Sequence, residues 1–286
     1  MPELPEVETI CRGLRLAIVG GTIVDAVVRR PDLRRPLQKD LAQRLHGAAV
    51  AGLHRRSKYI LCTLSTGETL MMHLGMSGRI RLKTAPDTRP EEDGRTVRSF
   101  DKHDHFILWF DDGATLTFTD HRRFGMVELV PTHALDSHAS LAALGPEPLG
   151  NEFSPKLLLG QLCKRKAPIK NVLLDQGVVA GLGNIYASEA LWRSGIAPDR
   201  EARTISTPRV ERLCRAIREV LNDAIAAGGS SLRDYRRSDG ELGYFQHLFS
   251  VYGREGFQCP AESCESTIMR IQQSGRSTFY CPACQT

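Results

Sequence analysis

Four cysteines fall within the last 28 residues of this 286-residue chain, and their spacing restricts how that end can fold. They read Cys259-x4-Cys264, then sixteen residues, then Cys281-x2-Cys284. Two close pairs at this separation can place four thiolates tetrahedrally around one zinc ion, each pair on a tight turn. The alternative, two disulfides, needs an oxidising compartment that nothing else in the sequence supports. We therefore expect one structural Zn2+ site that is closed by four protein ligands.

The segment between the two cysteine pairs contains QQSGRSTFY, a pattern typical of a β-hairpin with Arg276 at its turn. The other four cysteines are scattered along the chain, and at least Cys11 and Cys214 fall on apolar helical faces. These scattered cysteines are therefore interpreted as reduced core residues.

The formal charge of the chain is +5, and four thiolates with one divalent ion would lower it to about +3. Attraction to a polyanion must then depend on where the charges lie. Basic residues gather in five stretches beside glycine, aromatic or turn residues: VVRRPDLRRP, LHRRSKYI, DHRRFG, CKRK and LRDYRRSDG. One such cluster is usually a solvated face, but five favour a polyanionic partner such as nucleic acid.

The apolar runs of the chain are all shorter than the roughly 18–20 residues of a membrane span. No charged-then-apolar signal segment opens the sequence. We therefore expect a cytoplasmic protein without a membrane partner, long enough at 286 residues for two domains.

The first 130 residues combine one helix with many short strands. Apolar residues recur at helical spacing from Leu4 to Ile18, and Gly20-Gly21 ends that helix. Seven β-rich runs follow, separated by turn signals: GTIVDAVVRR, KYILCTL, TLMMHL, RIRL, FILWF, ATLTFT and MVELV. They predict an antiparallel β-sandwich with the helix alongside, and the polar stretch KTAPDTRPEEDGRT predicts a surface loop.

From residue 131 the pattern becomes helical. After a linker over 131–150, we predict a helix opening at Ser154-Pro155, a second ending on Gly177 and a third from Asn184 to Ser194. The clearest helix covers STPRVERLCRAIREVLNDAIAAGG. The fold class is therefore α+β, with domains over 1–130, 151–249 and 250–286.

The opening letters MPE have no structural explanation, because Pro2 and Glu3 precede the first helix. Removal of Met1 would leave Pro2 with a free secondary amine, whose pKa of roughly 8 gives a neutral fraction at pH 7. Such an amine can attack a sugar C1′, displace the base and leave an iminium that eases elimination at C3′. The adjacent Glu3 can manage the protons of these steps.

Two loops carry apolar residues where polar ones are expected. Met76 lies in the turn HLGMSG, and Phe124 lies in DHRRFG beside Arg122. Apolar side chains next to arginines on loop tips suit a protein that wedges into a base stack and fills the space of an extruded base. The turn GLGNIY, with Asn184 at a helix start, offers N–H groups for a phosphate, although glycine-rich turns are usually only structural.

Taken together, the motifs resemble the formamidopyrimidine-DNA glycosylase family from end to end and in the family's order. They are PELPEVET, SKYIL, HLGMSG, KHDH, RRFG, LGPEPL, GLGNIYASE, SDGELGYF, VYGREG and the cysteine pairs. The resemblance implies a base excision repair enzyme that removes oxidised purines from double-stranded DNA and nicks the abasic strand by β,δ-elimination. It also implies a helix–two-turn–helix domain before the zinc finger, no organic cofactor, and a monomer without an obligate protein partner.

Position by position, the resemblance implies roles for eleven residues outside the zinc site. Pro2 is the Schiff-base nucleophile, Glu3 the general acid/base, Lys58 the proton donor for β-elimination, and Arg276 the phosphate clamp used in δ-elimination. The residues implied to contact DNA are the void-filling Met76, Arg122 and Phe124, the phosphate ligand Asn184, and His103, Arg165 and Lys166.

Departures from the family pattern are few. The first cysteine pair has four intervening residues where many relatives have two, which zinc still permits, and the loop over 84–98 is longer. His121 replaces a frequent proline, and Arg233 a frequent lysine, which changes donor geometry there.

Two other functions compete with this interpretation. The endonuclease VIII branch favours oxidised pyrimidines, but PELPE rather than PEGPE and the complete Met-Arg-Phe trio argue against it. A non-catalytic zinc-containing DNA-binding protein should lack Pro2, Glu3 or Lys58, and all three are present.

Overall fold

The computed structural model describes residues 2–84, 100–230 and 248–286, together with the backbone of two short strands at Arg89–Pro90 and Thr96–Val97. Most of the loop over 84–98, the position of Arg233, the motif SDGELGYF and Met1 lie outside these residues. No helix within the described ranges is long and apolar enough to cross a membrane.

The described residues divide into two compact units. The first contains Pro2, Glu6–His138 and Ser230, and the second contains Glu3–Pro5, Ala139–Gly229 and 248–286. The chain thus passes from the first unit to the second and back within its first six residues.

The first unit contains two four-stranded antiparallel sheets, which confirms the predicted sandwich. The elements of this unit are α1 Leu4–Ile18, β1 Ile23–Val28, α2 Leu41–Leu45, β2 Val50–Arg56, β3 Tyr59–Leu64, β4 Glu68–His73, β5 Arg79–Lys83, β6 Arg89–Pro90, β7 Thr96–Val97, β8 Asp104–Phe110, β9 Thr115–Thr119 and β10 Met126–Pro131. The strand orders of the two sheets are β1-β8-β9-β5 and β10-β4-β3-β2.

The core of the first unit lies between α1 and the inner faces of the sheets. Helix α1 buries Val7, Leu14 and Ile18 completely or almost so, at the helical spacing that the sequence shows. Strand β3 alternates buried and half-buried residues, as expected for a sheet with one face on the core.

Strand β2 and helix α2 were not among the predicted elements. In VAGLHRR, only Val50 and Leu53 are buried, three positions apart, and polar residues follow. That spacing fits one helical turn and not a regular strand; it occurs here because the pairing of β2 with β3 has a bulge or irregularity between Val50 and Gly52.

In the described part of the second unit, helices come first and a two-stranded hairpin follows. This hairpin lies between the two cysteine pairs, and we call it the cysteine hairpin. Its elements are α3 Ala139–Ala142, α4 Pro155–Leu162, α5 Ile169–Leu173, α6 Asn184–Arg193, α7 Thr207–Ala226, and the strands β11 Met269–Gln273 and β12 Arg276–Tyr280. Helix α4 begins as predicted, with the Ser154 hydroxyl accepting the Leu157 N–H at 3.3 Å. Helix α5 ends at Leu173, not Gly177, because the Asp175 carboxylate accepts the Gly177 N–H at 3.0 Å and forms a turn.

The cysteine hairpin is tied to the helices of the same unit by polar contacts. The Gln285 amide accepts the Cys281 N–H at 2.8 Å and donates to the Ile196 carbonyl at 2.9 Å. The Arg209 guanidinium of α7 donates to the Thr286 carbonyl at 2.6 Å. The hairpin is therefore held by its chain end as well as by its own strands.

Candidate active site and nucleic-acid interface

The N-terminal acid is anchored at the start of a helix. Glu3 is 2 % exposed, and its carboxylate accepts the N–H of Ile185 at 3.0 Å and the N–H of Tyr186 at 3.5 Å, in the first turn of α6. The N–H of Leu4 donates to the Gly181 carbonyl at 3.1 Å. Both the N–H bonds and the positive end of the helix dipole stabilise the ionised carboxylate.

This contact changes the interpretation of the glycine-rich turn. The expectation of free N–H groups for a phosphate is wrong for Ile185 and Tyr186, because Glu3 already occupies them. The predicted phosphate ligand Asn184 is also engaged, since its side-chain amide donates to the Ser277 carbonyl at 2.9 Å. Its contact with DNA stays a prediction.

Lys170 is a buried cation that the sequence analysis missed. Its side chain is 0 % exposed, and its ammonium donates to Asn184 Oδ1 and Thr278 Oγ1, each at 2.6 Å. Burial and the nearby Arg276 lower the pKa of Lys170 to about 8, against the opposing effect of Glu3. One feature of the sequence indicates that Lys170 is buried: it lies three residues before the buried Leu173, on the apolar face of α5.

The four C-terminal cysteines converge as predicted. The sulfurs of Cys259, Cys264, Cys281 and Cys284 all lie within 4.8 Å of one another, and none is in a disulfide. Four thiols in one cluster are the donor set of a closed tetrahedral site. The cluster can therefore hold one metal ion. The hairpin beside the cluster turns at Ser274-Gly275, and Arg276 follows this turn as the first residue of β12.

The two predicted wedge residues are exposed and lie on loops that touch. Met76 is 40 % exposed and Phe124 is 45 % exposed, with the Arg122 guanidinium 4.8 Å from the centre of the Phe124 ring. A Cβ placed on Gly75 would lie 2.3 Å from the Phe124 carbonyl carbon, so the backbones of the two loops are in contact. We define the wedge loops as residues 74–78 and 121–125.

Asp120 joins the two wedge loops and was not singled out from the sequence. It is 0 % exposed. Its Oδ1 accepts the Ser77 hydroxyl at 2.5 Å and the Arg122 N–H at 3.2 Å, and its Oδ2 accepts the Gly125 N–H at 2.7 Å. One buried carboxylate thus fixes the turn that carries Met76 and the turn that carries Arg122 and Phe124.

We expect Asp120→Asn to loosen the wedge loops. An amide accepts hydrogen bonds through one oxygen only, so its NH2 group must face either Gly125 N or the Ser77 and Arg122 donors. Leaving a buried donor unpaired costs roughly 1–3 kcal/mol of stability. Hydrogen exchange should become faster at the Arg122 and Gly125 amides. The control is Asp112→Asn, because Asp112 accepts one N–H in an exposed turn; unchanged exchange in the Asp120 variant would contradict the expectation.

Lys58 and His73 lie in the first unit near the Met76 loop. Lys58 is 6 % exposed, and the Tyr59 ring packs 4.7 Å from the His73 ring. Burial, together with the charges of Lys58 and Arg34, lowers the pKa of His73 to about 4. The neutral His73 ring accepts the Gly75 N–H through Nδ1 at 3.0 Å, so Nε2 carries the proton and is a donor.

The remaining predicted DNA contacts are spread over both units. The His103 ring lies 6.3 Å from the exposed His121 ring in the first unit. In the second unit, Arg165 pairs with Asp175 at 2.9 Å and Lys166 is exposed. Their roles in binding stay predictions.

The fold and the site define the class of two-unit DNA glycosylases. Residues 1–127 match the model described as the formamidopyrimidine-DNA glycosylase N-terminal domain, and residues 144–236 match its H2TH domain. The chain belongs to the formamidopyrimidine-DNA glycosylase family.

Individual relatives agree with this membership over their whole length. The chain is 54% identical to the formamidopyrimidine-DNA glycosylase of Ruegeria sp. (strain TM1040), with 100% of both chains covered. A Lactococcus lactis FPG mutant, solved with a Fapy-dG containing DNA, is 36% identical with a TM-score of 0.88, again with 100% of both chains covered. MutM solved with a carbocyclic 8-oxo-G containing DNA is 36% identical with a TM-score of 0.86 and the same coverage.

Proposed function

We propose that this protein is a base excision repair enzyme that removes 8-oxoguanine and formamidopyrimidines from duplex DNA and then nicks the abasic strand. The single observation that carries the proposal is the anchored Glu3 carboxylate directly after Pro2, in a chain of this family. The two similar structures were solved with DNA that contains Fapy-dG or carbocyclic 8-oxo-G, which supports oxidised purines as the substrate class.

The reaction begins once Met1 has been removed and the Pro2 amine is free. The neutral amine attacks C1′, a new N–C1′ bond forms, and the bond to the damaged base breaks. The base leaves with the electron pair and takes up a proton. Glu3 acts as the general acid/base for this proton transfer and for opening of the sugar ring. The product on the enzyme is an iminium between Pro2 and C1′.

Strand nicking follows from this iminium, which accepts electrons. The C2′ proton passes to solvent, and the 3′ phosphate leaves C3′ with the electron pair of the broken C3′–O bond in β-elimination, with Lys58 as the proton donor. Arg276 then holds the 5′ phosphate for δ-elimination, in which C4′ loses a proton to solvent and the phosphate leaves with the electron pair of the C5′–O bond. Hydrolysis of the iminium returns the free Pro2 amine.

DNA recognition uses the wedge loops and basic residues. Met76, Arg122 and Phe124 enter the base stack and fill the space of the extruded nucleotide. Asn184, His103, Arg165 and Lys166 contact the phosphate backbone, which positions the duplex without reading its sequence. The enzyme acts as a cytoplasmic monomer associated with DNA, and its domains are those predicted over 1–130, 151–249 and 250–286.

One structural zinc ion completes the DNA-binding region. Cys259, Cys264, Cys281 and Cys284 would hold it, and its part is to stabilise the hairpin without entering the reaction. Their four clustered thiols fit zinc because zinc prefers sulfur ligands in closed tetrahedral sites. No organic cofactor takes part.

Borohydride trapping on an 8-oxoguanine duplex tests the proposed function. Reduction of the iminium should give a covalent protein–DNA product, and peptide mass mapping should place the adduct on Pro2. An adduct only with an oxidised pyrimidine would support the endonuclease VIII-like alternative. A Met1-free, zinc-loaded sample that gives neither adduct nor nick with either lesion would overturn the enzyme assignment in favour of a non-catalytic DNA-binding protein.

A further inference from the structure

Gly183 lies against the carboxyl group of Glu3. A Cβ placed on Gly183 would lie 2.3 Å from the Glu3 carboxyl carbon and 2.4 and 2.6 Å from its two oxygens. These separations are far below contact distance, so any side chain at residue 183 would displace Glu3 or the start of α6.

The backbone of Gly183 does not itself require glycine. Its φ of −135° and ψ of −163° are extended values that any residue adopts. Glycine is therefore needed here for space, not for conformational freedom.

Gly181 lies against the next residue, Leu4. We call the pair Gly181 and Gly183, which packs against Glu3 and Leu4, the glycine seat, or seat for short. It has a φ of +82°, and a Cβ there would lie 2.8 Å from Leu4 Cδ1. Because the Gly181 carbonyl also accepts the Leu4 N–H at 3.1 Å, the seat fixes both the backbone of Leu4 and the side chain of Glu3.

We propose that Gly183 is a positioning residue for the reaction, because its lack of a side chain admits the Glu3 carboxylate to the first turn of α6. The inference rests on the proposed function, in which Pro2 is the nucleophile. Pro2 is covalently joined to Glu3, so a shift of Glu3 also moves the amine. A misplacement of about 1 Å can lower a reaction rate by roughly 100-fold.

Gly183→Ala tests this role through the reaction. We expect the single-turnover rate of base excision to fall by about 100-fold, while the affinity for lesion DNA changes less than about threefold. Gly160→Ala is the matched control, because no atom lies within 4 Å of a Cβ at that helical position. A Gly183→Ala protein with the rate of the wild type overturns the proposal.

A double-mutant cycle of Gly183 and Glu3, measured by thermal unfolding, tests the contact between them without an activity assay. Gly183→Ala should lower Tm in the protein that has Glu3, and should lower it much less in a Glu3→Ala background, where the clashing carboxyl group is gone. The weak preference against alanine at a helix N-cap is common to both backgrounds and cancels. An equal fall in Tm in both backgrounds overturns the proposal.

The two tests separate this proposal from the proposed function. If the wild type gives no trapped adduct, the enzyme assignment fails while the unfolding cycle still reports on the seat. If the adduct forms and the cycle shows no coupling between Gly183 and Glu3, only the positioning role fails.

Discussion

Removal of zinc from this protein is expected to abolish DNA binding and strand nicking, with a loss of at least about 100-fold in affinity. Among the described residues, the apolar core next to the hairpin contains four buried residues, and two of them are the predicted zinc ligands Cys259 and Cys281. Small folds with so little core depend on the metal for their folding energy. Without zinc, we expect the hairpin to lose its structure.

Unfolding of the hairpin would also disturb the buried network of the helices. Lys170 donates to Thr278, and Asn184 donates to the Ser277 carbonyl, so both lose partners when strand β12 is lost. A buried lysine that loses one of its hydrogen-bond partners destabilises the helices around it, although Lys170 keeps its bond to Asn184 Oδ1. Arg276 begins β12, so it would also lose the strand that positions it for its proposed contact with phosphate.

The measurement compares Cys281→Ala with Cys163→Ser. Cys281 is 0 % exposed within the sulfur cluster. Cys163 is an exposed free thiol outside it, so the interpretation of the scattered cysteines as core residues is wrong for Cys163. Zinc content, fluorescence anisotropy with lesion DNA and nicking should all fall in the first variant and stay unchanged in the second. Nicking that survives complete loss of zinc would contradict the structural role.

Glu3→Gln is expected to lower the rate of base excision by roughly 10²- to 10⁴-fold, the range for loss of a general acid/base. Glutamine has nearly the size of glutamate, so its carbonyl oxygen can still accept the Ile185 N–H. Its amide cannot give up or take the proton that the departing base requires. We therefore expect a loss of rate with DNA affinity changed only a few-fold.

Single-turnover excision on an 8-oxoguanine duplex is the measurement for Glu3→Gln. Glu211→Gln removes the same charge from an exposed position on α7 and should keep the rate of the wild type. An unchanged rate in Glu3→Gln would remove Glu3 from the proton-transfer steps.

Most helices and strands, and the cysteine cluster, can be predicted from local sequence patterns. The hydrogen bonds that position Glu3, Lys170 and Asp120 cannot. Alternation identified strands such as β3, and cysteine spacing identified the sulfur cluster, because both signals lie within short windows. The bond between Glu3 and Ile185 joins residues 182 positions apart, and no local pattern contains it. Lys170 and Asp120 were missed for a similar reason: their burial depends on partners from other elements.

Glu3 is made long before helix α6, whose N–H groups it accepts, so the contact between them forms late in synthesis. Ile185 is added 182 residues after Glu3, which takes about 10–40 s at ordinary rates of translation. Until then the seat does not exist, and the first residues of the nascent chain are open to an aminopeptidase. In the folded protein Pro2 and Glu3 are buried. If Pro2 is the nucleophile, as proposed above, we therefore expect removal of Met1 to be complete before Glu3 reaches its position at the start of α6.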